Sequence, residues 1–262
     1  MFVRKIITLL LLSAAFNSLP SPSTAGDSGF SWPATCVPGV DCAGQHFRIG
    51  YPDVAAGGLS FACGKPGYTG HQGTDIVVSS IEQGVQALAA ADGIVRWTKD
   101  GLFDRCPSDT ERECDEQQKS ELTSGEKKGA TLGFNAGNFV VVEHKINDTR
   151  YLTLYAHLRK GSLKVVSGQK VIRNELLADV GSSGNSQIPH LHFGVYVEEG
   201  PLYRPVDPWK GACNSSSDGL WASAPPYRSE YLQTSHPESN STNDLQIYLQ
   251  TIQRSNPRNK VY

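Results

Sequence analysis

Apolar and polar residues alternate most cleanly between residues 61 and 209, and the period is two. From Tyr151 to Leu158, the residues Leu152, Leu154, Ala156 and Leu158 share one face of an extended strand, and Tyr151, Thr153, Tyr155 and His157 the other. The stretch from His190 to about Val197 repeats the arrangement, with Leu191, Phe193 and Val195 on one face and His190 and His192 on the opposite one. Apolar runs at Ile76-Val77-Val78, Val85 to Ala89, Ile94 to Trp97, Phe139 to Val142 and Leu176 to Val180 predict further strands. Asp92-Gly93 reads as the turn of a hairpin joining residues 84–89 to Ile94-Val95-Arg96-Trp97. Helical spacing occurs near 244–254, where Leu245, Tyr248, Leu249 and Ile252 fall at i, i+3, i+4 and i+7. The pattern therefore predicts a mainly β fold with long loops and few short helices.

Composition agrees with that reading. The 262 residues include 26 glycines and 15 prolines, which supply the turns of a β-rich domain. A formal charge of −2 argues against nucleic acid as a partner and against strong attraction to a membrane surface. At the N-terminus, Arg4 and Lys5 precede the apolar run from Ile6 to Phe16, which is short for a membrane span, and Ser23-Thr24-Ala25 offers a cleavage site. Residues 1–25 are thus expected to be a signal peptide, and the mature chain to lack a transmembrane segment and be periplasmic or secreted. Six cysteines follow, an even count that reads as disulfides in an exported chain. Cys106 with Cys114, Cys36 with Cys42 and Cys63 with Cys213 are the expected pairs.

These patterns divide the chain into an irregular cysteine-containing lead-in (26–60), a main domain (61–209) and a polar C-terminal extension (210–262) carrying the short helix. Residues 99–136 interrupt the main domain as a charged insert poor in large apolar side chains, read as a solvated surface excursion, with a role in substrate recognition as the alternative.

The candidate chemistry is histidine chemistry. His190 and His192 project from one face of a strand with an apolar row behind them. His71 and Asp75 lie four apart around Gly73, so in an extended stretch both point the same way, and the glycine lets the backbone pass close to a metal. A catalytic zinc commonly takes three protein ligands and keeps its fourth position for water. His71 and Asp75 could supply two of these and His192 or His190 the third; the other member of that pair would then lie with His157 near the water. His144 reads as the end of a strand, and His46 and His236 belong to no constellation.

The ordered set of segments resembles the lysostaphin-type, LytM-like zinc metalloendopeptidases. The segments are His71-Gln72-Gly73-Thr74-Asp75, Tyr155-Ala156-His157-Leu158, the loop Gly181-Ser182-Ser183-Gly184 and His190-Leu191-His192-Phe193-Gly194, with Ala90-Ala91-Asp92-Gly93-Ile94-Val95, Ser167-Gly168-Gln169 and Val206-Asp207-Pro208 between and after them. The resemblance implies an antiparallel β-sheet domain of the duplicated hybrid motif type. It implies one Zn2+ per chain held by His71, Asp75 and His192, with His157 and His190 as the catalytic pair. It further implies peptidoglycan or its peptides as substrate, D-Ala cross-links before glycyl bonds. A non-enzymatic relative that binds or activates another wall hydrolase, and a secreted protease acting on peptides outside the wall, are the alternatives. Gln187-Ile188 replaces the usual Thr-Gly of the pattern, and Asn174 stands where a turn glycine is common.

Overall fold

The strands with the strictest alternation gather into one large sheet, and that sheet carries the histidines. The computed structural model describes residues 29–52, 70–105, 136–211 and 219–227. In chain order the strands are β1 (Phe30–Ser31), β2 (Ile49–Gly50), β3 (Gly73–Val77), β4 (Gln86–Leu88), β5 (Gly93–Lys99), β6 (Asn138–Ile146), β7 (Thr149–Leu158), β8 (Lys170–Val171), β9 (Leu176–Asp179), β10 (His190–Glu199), β11 (Leu202–Pro205) and β12 (Trp221–Ser223). Among the described residues the one helical element is the 3-10 turn Ile81–Gln83. The expected signal peptide, the helix near 244–254 and the pairs Cys106–Cys114 and Cys63–Cys213 lie outside the described residues. Cys36 and Cys42 form a disulfide, as expected. No helix among the described residues is long and apolar enough to cross a membrane.

The large sheet runs β2-β3-β10-β7-β6-β5-β8, every neighbouring pair antiparallel. β10 is central. One edge pairs with β7; the other pairs first with β3, through His190 to Gly194, and then with β11, through Tyr196 to Glu199. This register sets His192 between Asp75 on β3 and Ala156 on β7. Leu191, Phe193 and Val195 fill the main core on one face together with Ile76, Tyr155 and Val140. Burying each of these side chains contributes about 1.5–3 kcal/mol. The opposite face carries His190 and His192 and, farther along, a second cluster of Leu152, Leu154, Ala156, Val141 and Tyr196.

The structure departs from the expected pattern in three places. β4 pairs with β9 in a separate two-stranded ladder, not with β5. Gly93 is therefore not the apex of a β4–β5 hairpin. A Cβ there would meet the Glu143 carbonyl oxygen at 2.4 Å, so glycine permits the close approach of β5 to β6. In the lead-in, β2 extends the large sheet beside β3, and Phe30, Ile49 and Tyr51 are buried in the main core. Finally, His144 does not end a strand. It sits within β6, buried, with Nδ1 donating to the Asp92 carbonyl at 2.9 Å and Nε2 2.7 Å from the Thr153 hydroxyl.

Burial pushes the His144 imidazole down to about 4. Its folded value lies below the unfolded value, so the fold favours the neutral ring. The contribution is complete above about pH 6.5 and is lost as pH falls towards 4, on the order of 3 kcal/mol in all. Urea unfolding of wild type and His144→Gln at pH 7 and pH 4.5 checks this. The wild type should lose more stability over that interval than the variant, and equal losses would show that His144 is not the responsible group.

Candidate metal centre

β3 and β10 run antiparallel, so side chains opposite one another on the same face converge. Asp75 and His192 do so, and with His71, two residues before β3, they form a triangle of donor atoms. His71 Nε2 lies 3.1 Å from Asp75 Oδ1, His192 Nδ1 lies 3.0 Å from the same oxygen, and the two nitrogens are 3.3 Å apart. All three residues are buried. Ligands at about 2.0–2.1 Å around a tetrahedral zinc stand roughly 3.3 Å from each other, so the triangle fits such an ion. Among the described residues, His71, Asp75 and His192 are the one group of this kind.

The surroundings fix each member. His71 donates from Nδ1 to the Tyr51 carbonyl at 2.9 Å, which leaves Nε2 as the ligand atom. The His192 ring leans over Gly73, where a Cβ would lie 2.5 Å from its Nε2. Gly50 on β2 covers Asp75, with space for a Cβ only 3.0 Å from the Asp75 Cβ. From behind, Trp209 Nε1 donates to the Thr74 hydroxyl at 3.3 Å. Burial alone would raise the Asp75 carboxyl. The fields of His71 and His190 and hydrogen bonds from His192 and His71 outweigh it and hold the group well below the usual carboxylate range, so Asp75 is ionised at neutral pH.

A second pair of imidazoles stands beside the triangle. The His157 and His190 rings are 4.6 Å apart, and His157 is 6.0 Å from the His192 ring. His190 Nε2 reaches to 3.7 Å from Asp75 Oδ1. Both rings are oriented by main-chain carbonyls: His157 Nδ1 donates to Ser183 at 2.8 Å and His190 Nδ1 to Ile188 at 2.8 Å. A carbonyl can only accept, so both Nδ1 atoms carry hydrogen, and in the neutral rings each Nε2 holds a lone pair. Burial, with His190 and His192 alongside, pushes the His157 imidazole well below its usual range, despite the bond to Ser183 and the charge of Asp75. The His157 ring is therefore neutral at pH 7.

Strict alternation fails at His157, and the failure builds the site. Ala156 pairs with His192, so a regular strand would turn His157 away towards the main core, on the side of Tyr155. Instead His157 has φ 59°, in the left-handed region that non-glycine residues seldom occupy. The turn brings its ring beside His190 and drops Leu158 into the core with Tyr155. Such a conformation costs on the order of 1 kcal/mol or more and persists only where the surroundings enforce it. Two bonds do so here: His157 N donates to the Ala136 carbonyl at 2.9 Å, and Gly181 N donates to the His157 carbonyl at 3.1 Å. Asn174, which stands where a turn glycine is common, has φ 64°, a left-handed conformation that asparagine tolerates.

All five residues singled out in the sequence thus converge at one end of the sheet. Of the residues that orient them, Ser183 lies in the Gly181-Ser182-Ser183-Gly184 loop of the resembling pattern, whereas Tyr51, Ser186 and Ile188 match no segment of it; Tyr51 and Ile188 act through main-chain carbonyls that any residue supplies. Ile188, noted as a departure from the resembling pattern, holds His190 by its carbonyl. Ser186 links the two sides of that contact. Its hydroxyl donates to the Ile188 carbonyl at 2.7 Å and lies 3.3 Å from His190 Nδ1.

Residues 123–208 match the family described as peptidase family M23. The matched stretch contains His157, His190 and His192 and begins after His71 and Asp75. A peptidoglycan DD-endopeptidase of Vibrio cholerae is 43% identical over 75 residues, which are 29% of this chain and 16% of that protein. An uncharacterized metalloprotease of Haemophilus influenzae is 27% identical over 150 residues, 57% of this chain and 22% of the other. This chain thus spans less than a quarter of the length of either relative. The catalytic domain of lysostaphin from Staphylococcus simulans aligns in structure with a TM-score of 0.35 and 18% identity, covering 58% of this chain and 81% of that one.

Proposed function

We propose, for a chain that carries a peptidase family M23 domain, that it is an exported zinc endopeptidase hydrolysing peptide bonds of bacterial peptidoglycan, D-Ala cross-links in preference to glycyl bonds. The observation that carries this reading is the buried triangle of His71, Asp75 and His192 with the His157–His190 pair at its side. The similarity to a DD-endopeptidase supports the choice of D-Ala cross-links. The apolar N-terminal run and the disulfide support export.

His71, Asp75 and His192 would hold the zinc, which supplies polarisation of the scissile carbonyl and a more acidic water. The protein's own groups do the rest. Each of His157 and His190 presents Nε2 with its tautomer fixed at the far nitrogen, so a proton can be accepted and returned at a defined atom. One ring of the pair takes the proton from the attacking water and hands it to the leaving amine. The other, when protonated at Nε2, would donate a hydrogen bond from that nitrogen to the developing oxyanion. Burial of both rings excludes bulk water from these transfers.

Digestion of purified peptidoglycan by the zinc-loaded protein, followed by mass spectrometry of the fragments, tests the reading. Walls with direct D-Ala cross-links should yield new amino termini at the cross-link, faster than walls with glycyl bridges. Treatment with a chelator should abolish release, and added zinc should restore it. Absence of new amino termini from every wall type would overturn the proposal.

A further inference from the structure

The loop that orients both catalytic imidazoles is anchored by its neighbours, with the Ser183 hydroxyl accepting from Asn138 N at 2.9 Å. Ser183 supplies the carbonyl for His157 Nδ1, and the Gly181 carbonyl accepts from His190 N at 3.2 Å. Ser182 Oγ lies 2.9 Å from Ser186 Oγ, which in turn lies beside His190 Nδ1. One carboxylate reaches this loop and β7 together. Asp104 Oδ1 accepts from Ser182 N at 2.8 Å, and Asp104 Oδ2 accepts from Lys160 N at 3.1 Å. Lys160 lies just beyond the end of β7, three residues after His157. Asp104 therefore adds a tie between the strand that delivers His157 and the loop that receives its Nδ1 hydrogen, beside the Ser183 hydroxyl, which donates to the Leu158 carbonyl at 2.7 Å, and Gly181 N, which donates to the His157 carbonyl at 3.1 Å.

The close fit of neighbouring groups supports a built clamp. A Cβ on Gly181 would meet Asp104 Oδ1 at 2.4 Å, so the carboxylate occupies the space a side chain at 181 would fill. Asp104 also forms an isolated bridge with Ser183. Next to it, Arg105 N donates to the Ser182 carbonyl at 2.8 Å, and its guanidinium donates to the Gly184 carbonyl at 3.2 Å. Burial raises the Asp104 carboxyl from its usual range, while the amides of Ser182 and Lys160 and the charge of Arg159 act in the opposite direction. The segment bearing Asp104 belongs to the 99–136 insert, read from the sequence as a surface excursion. Its first residues instead reach the catalytic loop.

We propose that Asp104 is a positioning residue for the reaction, acting through Ser182 and Lys160 to hold the His157 Nδ1–H to Ser183 O bond in register. This rests on the assignment of His157 to the chemistry under the proposed function. Removing the carboxylate frees both amides, lets the loop shift relative to β7 and misplaces the His157 ring while leaving in place the three ligand residues, His71 just before β3, Asp75 on β3 and His192 on β10. Shifts of this size commonly cost about ten- to a hundredfold in rate.

The test compares wild type, Asp104→Ala and the milder Asp104→Asn, which keeps one acceptor oxygen. A soluble cross-linked muropeptide serves as substrate, zinc content is measured, and NMR of 15N-labelled imidazoles follows solvent exchange of the His157 Nδ1–H. The proposal expects kcat to fall about tenfold or more in the alanine variant and less in the asparagine variant, with KM and zinc content unchanged. Exchange of the Nδ1–H should quicken in the same order. If the alanine variant fails to fold, the asparagine variant decides. Wild-type kcat and exchange, a fall in kcat without faster exchange, or a fall that follows lost zinc would each overturn the proposal. If the wild type cleaves no muropeptide, the functional reading fails, and the exchange measurement still decides whether Asp104 holds His157.

Discussion

Replacing His157 with alanine should leave the metal bound and remove most of the activity. Its nitrogens belong to neither the triangle of donor atoms nor the hydrogen bonds that orient His71 and His192. Alanine keeps a Cβ and the strand pairing, so β10 and β3 retain their register. What is lost is a neutral imidazole at a fixed position 4.6 Å from the His190 ring. Loss of a positioned proton-transfer group costs about 10²–10⁴ in rate. His71→Ala and His192→Ala should behave differently, losing both zinc and activity because each removes one of three donors. Zinc content by elemental analysis, alongside turnover on muropeptide, separates the two classes. Full activity in His157→Ala would show that the role assigned to His157 is wrong.

Gly73→Ala should weaken the metal site without touching a ligand. The new Cβ would lie 2.5 Å from His192 Nε2, 2.7 Å from its Cε1 and 2.9 Å from the Phe193 carbonyl oxygen. None of these can yield cheaply: the ring is a buried donor and the carbonyl is part of the main chain of β10. Either the His192 ring turns out of the triangle or β3 moves away from β10. The first outcome weakens zinc binding by about ten- to a hundredfold, the scale for disturbing groups that orient metal ligands. The second destabilises the sheet by about 1–3 kcal/mol. Competition of the variant with a chromogenic zinc chelator, together with urea unfolding, measures both. A variant with wild-type zinc affinity and stability would show that Gly73 is not needed for close approach.

Much of the site was legible in the chain because period-two alternation is a local property. It placed His190 and His192 on one face, with Leu191, Phe193 and Val195 buried on the other, and the structure shows the same division. The His71 and Asp75 pair was legible for the same reason, with Gly73 explained by the ring above it. His157 was identified by the surrounding motif but not by geometry. Alternation sends it to the core face, and only a left-handed turn, enforced by Ala136 and Gly181 from distant parts of the chain, brings it to the site.

Other features depend on long-range pairing that local pattern does not encode. Asp92-Gly93 carries the composition of a hairpin turn, yet the glycine serves a close contact with β6 while β4 finds β9 far along the chain. The apparent polar face of β7, with Tyr151, Thr153 and Tyr155, belongs to the main core. Tyr155 and Thr153 are buried, and the Tyr155 hydroxyl accepts from Ala90 N at 2.8 Å. Asp104 had no signal at all, since one aspartate in a charged segment resembles any other until the fold sets it against Ser182 and Lys160.

The measurement that bears most directly on this account is anomalous X-ray scattering at the zinc edge from crystals of the zinc-loaded protein. One peak per chain is expected within bonding distance of His71 Nε2, Asp75 Oδ1 and His192 Nδ1, with His157 and His190 beside it but outside the ligand set. A peak ligated by His157, or none near Asp75, would contradict it.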